Sequence, residues 1–139
     1  MVSAMHTRFP SFVEVNDEGP VSVSIRPNDG ACPMYLVDLR TEFVLGVGRA
    51  GCRWELGLTQ DDLAFARSTW DAVVAGRVNE VFGPGRSRVR VQLPGGLERE
   101  ARWAEFPAGC LPVPRWTRNR KRTIRYAAYR PETGGQSAI

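Results

Sequence analysis

The chain has 139 residues, 42% hydrophobic and 24% charged, the proportions of a globular protein able to bury a core without staples. No run approaches the roughly eighteen apolar residues of a membrane span, and a lone histidine, His6, excludes histidine triads and multi-histidine metal sites. Net charge is +4 but uneven: residues 1–114 hold twelve arginines against fourteen acids, whereas residues 115–139 hold seven basic residues against Glu132.

Cysteines 32, 52 and 110 are odd in number and form no C-x-x-C pair, so the sequence predicts neither a zinc knuckle nor a disulfide framework. They read as small buried residues. The first twelve residues lack the apolar segment and cleavage site of a secretory signal, and the chain reads as cytoplasmic. No motif for a cofactor or metal stands out.

In chain order, residues 9–15 alternate Phe9, Ser11, Val13 and Val15 around Pro10, which suits an edge strand. A turn at 16–20 leads to a half-buried strand over 21–26, with Val21, Val23 and Ile25 on one side, and residues 27–30 close it. Residues 34–39 and 43–47 are dense enough in apolar side chains for central strands, covered on both faces or by a dimer partner. The order G-V-G-R-A-G at 46–51 precedes strand-like sequence and opens no helix, so it predicts a tight hairpin turn and lacks the geometry of a phosphate loop. Cys52, Trp54 and Leu56 continue as one face of a further strand.

A helix is predicted over about 60–76, capped by Thr59 and opened by Asp61 and Asp62. Leu63, Ala66, Trp70, Val73, Val74 and the stem of Arg77 recur at three- and four-residue steps as its buried stripe. Gly76 comes too early for a clean stop and is expected to weaken the last turn.

After the helix, strands over 78–82, 87–93 and 97–103 are separated by Gly-Pro-Gly-Arg and Pro-Gly-Gly, the spacing of an antiparallel meander. Val89, Val91 and Leu93 face inward, as do Leu97, Arg99, Ala101 and Trp103. Glu98 and Glu100 lie outside opposite Arg88 and Arg90, which predicts cross-strand ion pairs rather than a paired-carboxylate active site. Trp54, Trp70 and Trp103 are expected in the interior. The stretch from Ala75 to Val89, A-G-R-V-N-E-V-F-G-P-G-R-S-R-V, with the helix before it, resembles a pattern of small bacterial α+β proteins of no established activity. That resemblance implies helix followed by meander and transfers no site residue.

Residues 107–114 read as an irregular loop crossing the sheet. Arg115, Trp116, Arg118, Arg120, Lys121 and Arg122 then concentrate positive charge around one indole, before a short strand over 123–128 and a disordered tail at 131–139. The expected architecture is a single α+β domain over 1–130, one principal helix packed on a twisted, mainly antiparallel sheet. The expected role is a non-catalytic interaction protein, in its most concrete form an immunity or antitoxin type of inhibitor that binds a protein partner and no membrane. The alternative is a nucleic-acid-binding accessory protein using the basic segment at 115–122, with a small enzyme working through carboxylates as a third class.

Overall fold

The computed structural model describes residues 13–27, 30–104 and 121–130. Among them, nine strands and one α-helix build an α+β fold of two antiparallel sheets. The first sheet takes β1 (Val13–Asn16), β2 (Ser22–Ile25), β3 (Met34–Asp38), β4 (Glu42–Val47) and β5 (Cys52–Gly57) in chain order. Helix α1 (Gln60–Val74) follows. The second sheet contains β6 (Val78–Gly83), β7 (Arg86–Gln92), β8 (Glu98–Ala104) and β9 (Arg122–Arg125) in the order β8-β7-β6-β9. Strand β5 packs against β7 and β8, and α1 lies against β5 and β7.

The helix begins as its sequence dictates. The Thr59 hydroxyl accepts a hydrogen bond from the Asp62 amide at 3.2 Å, and the Asp62 carboxylate accepts one from Gly57 N–H at 3.0 Å, tying the end of β5 to the first turn. Its end corrects an expectation. Gly76 is a clean stop: at φ 73° it donates to the Val73 carbonyl while Arg77 donates to Ala72, the paired bonds of a left-handed glycine cap. The sequence reading missed it because the apolar stripe was carried one turn too far.

That stripe is also rotated. Phe65, Ala66, Thr69, Trp70, Ala72 and Val73 are turned inward, whereas Leu63 is 45% exposed and Arg77 lies in solvent. The first turn overhangs the first sheet, where Leu63 and Leu58 flank an open hollow, so the core begins one turn later. Trp70 is buried and Trp54 meets Phe65 edge-to-face with ring centroids 5.5 Å apart.

The inner faces of both sheets supply the rest of the core, including Ile25, Met34, Leu45 and Val47 from the first and Val78, Val89, Val91 and Ala101 from the second. On the outer face of the first sheet, a Cβ on Gly46 would fall inside the Tyr35 ring, so this glycine exists to let the phenol lie flat on β4. The segment after β9 is stitched inward: Tyr126 N–H donates to Val78, Ala127 N–H to Gly30 and Tyr129 N–H to Val74. The expectations for residues 9–12, for Asn28 and Asp29 in the turn, for the loop at 107–114, for His6 and Cys110 and for the tail at 131–139 lie outside the described residues.

Candidate functional site

Strand β6 alternates Val78, Glu80 and Phe82 toward the interior, and this places a glutamate on a core face. Glu80 is fully buried. A carboxylate there is tolerable only if its lone pairs are occupied, and here all are. One oxygen accepts from Arg49 N–H at 2.8 Å and from the Tyr126 hydroxyl. The other accepts from Ala50 N–H at 3.1 Å and from the Ser87 hydroxyl at 2.8 Å. Cys52 Sγ lies 3.7 Å from the Ser87 oxygen and extends the network.

The G-V-G-R-A-G stretch is the expected hairpin turn between β4 and β5, yet its successive amides do cradle an anion, the chain's own Glu80. Sequence reasoning passed over Glu80. The signal was there in Val78, Glu80 and Phe82 sharing one face of a strand.

Chemically this cluster is saturated. Burial and the bond to Glu80 push the Tyr126 hydroxyl up, and burial pushes the Cys32 and Cys52 thiols up, so none ionises at neutral pH. The carboxylate has no acceptor left for a substrate. It acts as a clamp joining the β4–β5 turn, β6, β7 and the segment after β9.

The outer face of the second sheet is different. Register puts Arg88 opposite Arg102, Arg90 opposite Glu100 and Arg125 opposite Asn79, all turned away from the core. With Arg86 and Lys121, this face carries six cations and two carboxylates, Glu98 and Glu100, among the described residues. The expected cross-strand pairs are present: Glu100 meets Arg90 at 3.2 Å and Arg88 at 3.5 Å, and Glu98 meets Arg90 at 3.6 Å. Arg102 also reaches Glu100, at 2.7 Å. Burial works to raise the Glu100 carboxyl, but the bonds from Arg102 and Arg90 and the Arg88 charge outweigh it and hold the group below the ordinary carboxylate range.

At one end of this face lies a hollow of about 330 Å³, bordered by Arg86, Arg88, Arg102, Lys121 and Trp103, with no carboxylate among the described residues of its lining. Trp103 corrects an expectation. It has the inward phase of β8 but is 39% exposed, because it sits one residue from the strand's end, past the cover of the core.

Of the predicted basic cluster, Lys121 borders this hollow, while Arg122 has the opposite phase and lies with Arg49, Phe82 and Ile124. Arg115, Trp116, Arg118 and Arg120 lie outside the described residues. Sequence reasoning did not connect Lys121 to Arg86, Arg88 and Arg102, since only the β6–β9 pairing brings them together.

A second hollow, about 370 Å³, opens between α1 and the first sheet and is lined by Leu36, Phe43, Leu58 and Leu63 with Asp38 and Arg67 at its margin. Among the described residues, no group of acidic, histidine or cysteine side chains could hold a metal ion, and no helix is long and apolar enough to cross a membrane. Comparison with protein-family models, with curated proteins and with solved structures finds no match.

Proposed function

We infer that this chain is a non-catalytic binding protein that holds a polyanionic macromolecule on the outer face of β8-β7-β6-β9. The observation that carries the reading is the imbalance of that face, six cations against two carboxylates among the described residues, arranged on hydrogen-bonded antiparallel strands. Clustered guanidinium groups attract polyanions from a distance and release their counterions on contact. The buried carboxylate favours binding over catalysis, since its four acceptor sites are filled from within. A protein inhibitor of the immunity or antitoxin kind and a nucleic-acid-binding accessory protein are two forms of this role.

The test is retention on immobilised heparin. Reversing Arg88, Arg102 and Lys121 to glutamate should lower the eluting salt far more than reversing Arg26, Arg53 and Arg67, which changes net charge equally but touches other surfaces. Equal shifts from the two triple variants would mean that net charge alone governs retention, and the face would lose its claim.

A further inference from the structure

We propose that the hollow between the first turn of α1 and the first sheet binds a small aliphatic monocarboxylate, its chain lying on the leucines and its carboxylate held by Arg40 and Arg67. No residue of the second sheet borders this hollow, so the proposal neither rests on the polyanion reading nor falls with it.

The shape follows from the rotated helix. Leu63 in the first turn of α1 is 45% exposed, and Leu58, in the link from β5, is 55% exposed. Beneath them Phe43 and Ala66 are 5% and 2% exposed, so the floor of the hollow is the edge of the core itself. Its volume of about 370 Å³ lies within the roughly 300–1,000 Å³ of ordinary ligand pockets. Eight residues border it, whereas a stable protein interface takes about 20–30 on each side, so the scale is that of a small molecule.

The walls select the tail. The side chains of Leu36, Phe43, Leu58, Leu63 and Ala66 carry no donor or acceptor, so nothing there would repay the desolvation of a sugar, a base or a peptide group. An alkyl chain loses nothing in such a place. Phe43 is too covered to present an open face, which leaves a flat ring without a stacking partner.

The margin selects the head. Asp38 pairs with Phe43 across β3 and β4, and its Oδ1 accepts from Arg40 N–H at 2.7 Å. That bond holds Arg40 at φ 74°, a conformation that side chains resist, on the border of the hollow. Arg67 reaches the same border from one helical turn beyond Leu63. Among the described residues, no carboxylate lies within ion-pair range of either guanidinium. Two guanidinium groups against the one carboxylate of Asp38 leave a surplus of one positive charge, which a monoanion balances.

The experiment is calorimetric titration of the full chain with octanoate, decanoate and octylammonium, each below its micellar concentration. Octanoate should saturate at one molecule per chain. Decanoate should bind about 10- to 15-fold more tightly, from about three- to fourfold for each buried methylene. Octylammonium, of matched chain length, should bind about tenfold or more weakly than octanoate, because its head meets the arginines as a like charge. Leu63→Gln should weaken decanoate by about tenfold and keep the wild-type urea midpoint, as expected of an exposed helical position. Arg40→Asn combined with Arg67→Gln should abolish the preference for octanoate over octylammonium, asparagine being a residue that accepts positive φ.

Equal affinity of the wild type for octanoate and octylammonium would overturn the assignment by removing selection of the head. Binding that neither Leu63→Gln nor the double variant weakens would overturn it by placing the ligand elsewhere. Decanoate that does not bind saturably would overturn it as well, and a dimer in sedimentation that Leu63→Gln dissociates would then make the hollow a contact between two copies of the chain.

Discussion

A Cβ atom on Gly48 would stand 2.5 Å from the carboxylate of Glu80. The turn between β4 and β5 and the middle of β6 are thus fitted to each other at a point where no larger residue could stand. Gly48 also has φ 93°, which a side chain would resist, so the position is fixed twice over. The two sheets are held together at this place by directed bonds as well as by apolar contact.

Removing the clamp should therefore be costly. In Glu80→Gln the amide nitrogen replaces one acceptor oxygen, and the two donors that share it, either Arg49 N–H with Tyr126 or Ala50 N–H with Ser87, lose that acceptor, Arg49 N–H keeping only its longer bond to the Tyr126 oxygen at 3.3 Å. At about 1–3 kcal/mol for each donor left unsatisfied, the loss should be about 2–6 kcal/mol. Ser87→Ala, which removes one donor and leaves the carboxylate three others, should cost about 1 kcal/mol. Urea unfolding measures both, and a Glu80→Gln protein as stable as wild type would mean that the carboxylate is not needed as an acceptor.

Gly76 and Gly95 separate backbone strain from steric conflict. Both have positive φ, at 73° and 80°. A Cβ on Gly95 meets nothing within 4 Å, while one on Gly76 would lie 2.5 Å from the Ala128 nitrogen, with more backbone of that segment at 2.9 Å. Gly95→Ala should lose about 1–2 kcal/mol, the strain of the left-handed region alone. Gly76→Ala should lose clearly more, because the chain after β9 must move with its bonds to Val74 and Val78. Equal losses in thermal or urea unfolding would show that the segment after β9 yields freely.

The fold was legible where side chains alternate and glycines punctuate. Val89 and Val91 facing in with Arg88 and Arg90 facing out fixed β7 within a residue of its observed bounds. What stayed hidden was pairing at a distance. Nothing in the residues said that β9 returns to β6, or that the strands sort into two sheets, because those choices depend on loops whose length constrains little. The candidate site was half visible for the same reason. Lys121 was marked by its basic neighbours, but Trp103 was assigned inside, since a strand's phase says which way a residue points and not whether the core extends that far.

The contrast between two tryptophans tests that last point. Trp70 is 2% exposed and Trp103 is 39% exposed. Trp70→Ala should cost about 3–5 kcal/mol through the cavity it leaves, whereas Trp103→Ala should stay within about 1 kcal/mol of wild type. Comparable losses at the two positions would mean that Trp103 is covered in solution.

Stability should fall in alkali. Burial raises the Cys32, Cys52, Tyr126 and Tyr129 groups above their ordinary values, and Tyr126 is raised further by its bond to Glu80. In the unfolded chain they lose protons from about pH 8.5 for cysteine and about 10 for tyrosine. Above those values the folded state holds more protons than the unfolded one, so the stabilisation is whole below about pH 8.5 and declines as pH rises toward the folded values. Each group contributes a slope of up to about 1.4 kcal/mol per pH unit. Tyr129→Phe removes one of them and should flatten the decline between about pH 10 and 11, even though it lowers stability at pH 7 by freeing the Cys32 carbonyl. An unchanged slope would show that another group controls the alkaline limit.

Glu100 is where the folding and the binding of the outer face can be told apart. It sits between Arg88, Arg90 and Arg102, and its side chain is 25% exposed. Ion pairs so open to water contribute little to stability, so Glu100→Gln should shift unfolding by less than about 1 kcal/mol. Its effect on binding should be larger. The neutral amide still accepts one bond, so the arginines remain roughly in place, but the face becomes more positive by one unit and guanidinium groups formerly neutralised by a carboxylate become available to phosphates. Retention on heparin should move to higher salt, and the plot of log affinity against log salt for a single strand should steepen by about 0.7 for each further phosphate neutralised. If instead stability drops by several kcal/mol while the salt slope stays put, Glu100 is a fastener of β7 to β8, and the arginines around it serve the sheet rather than a ligand.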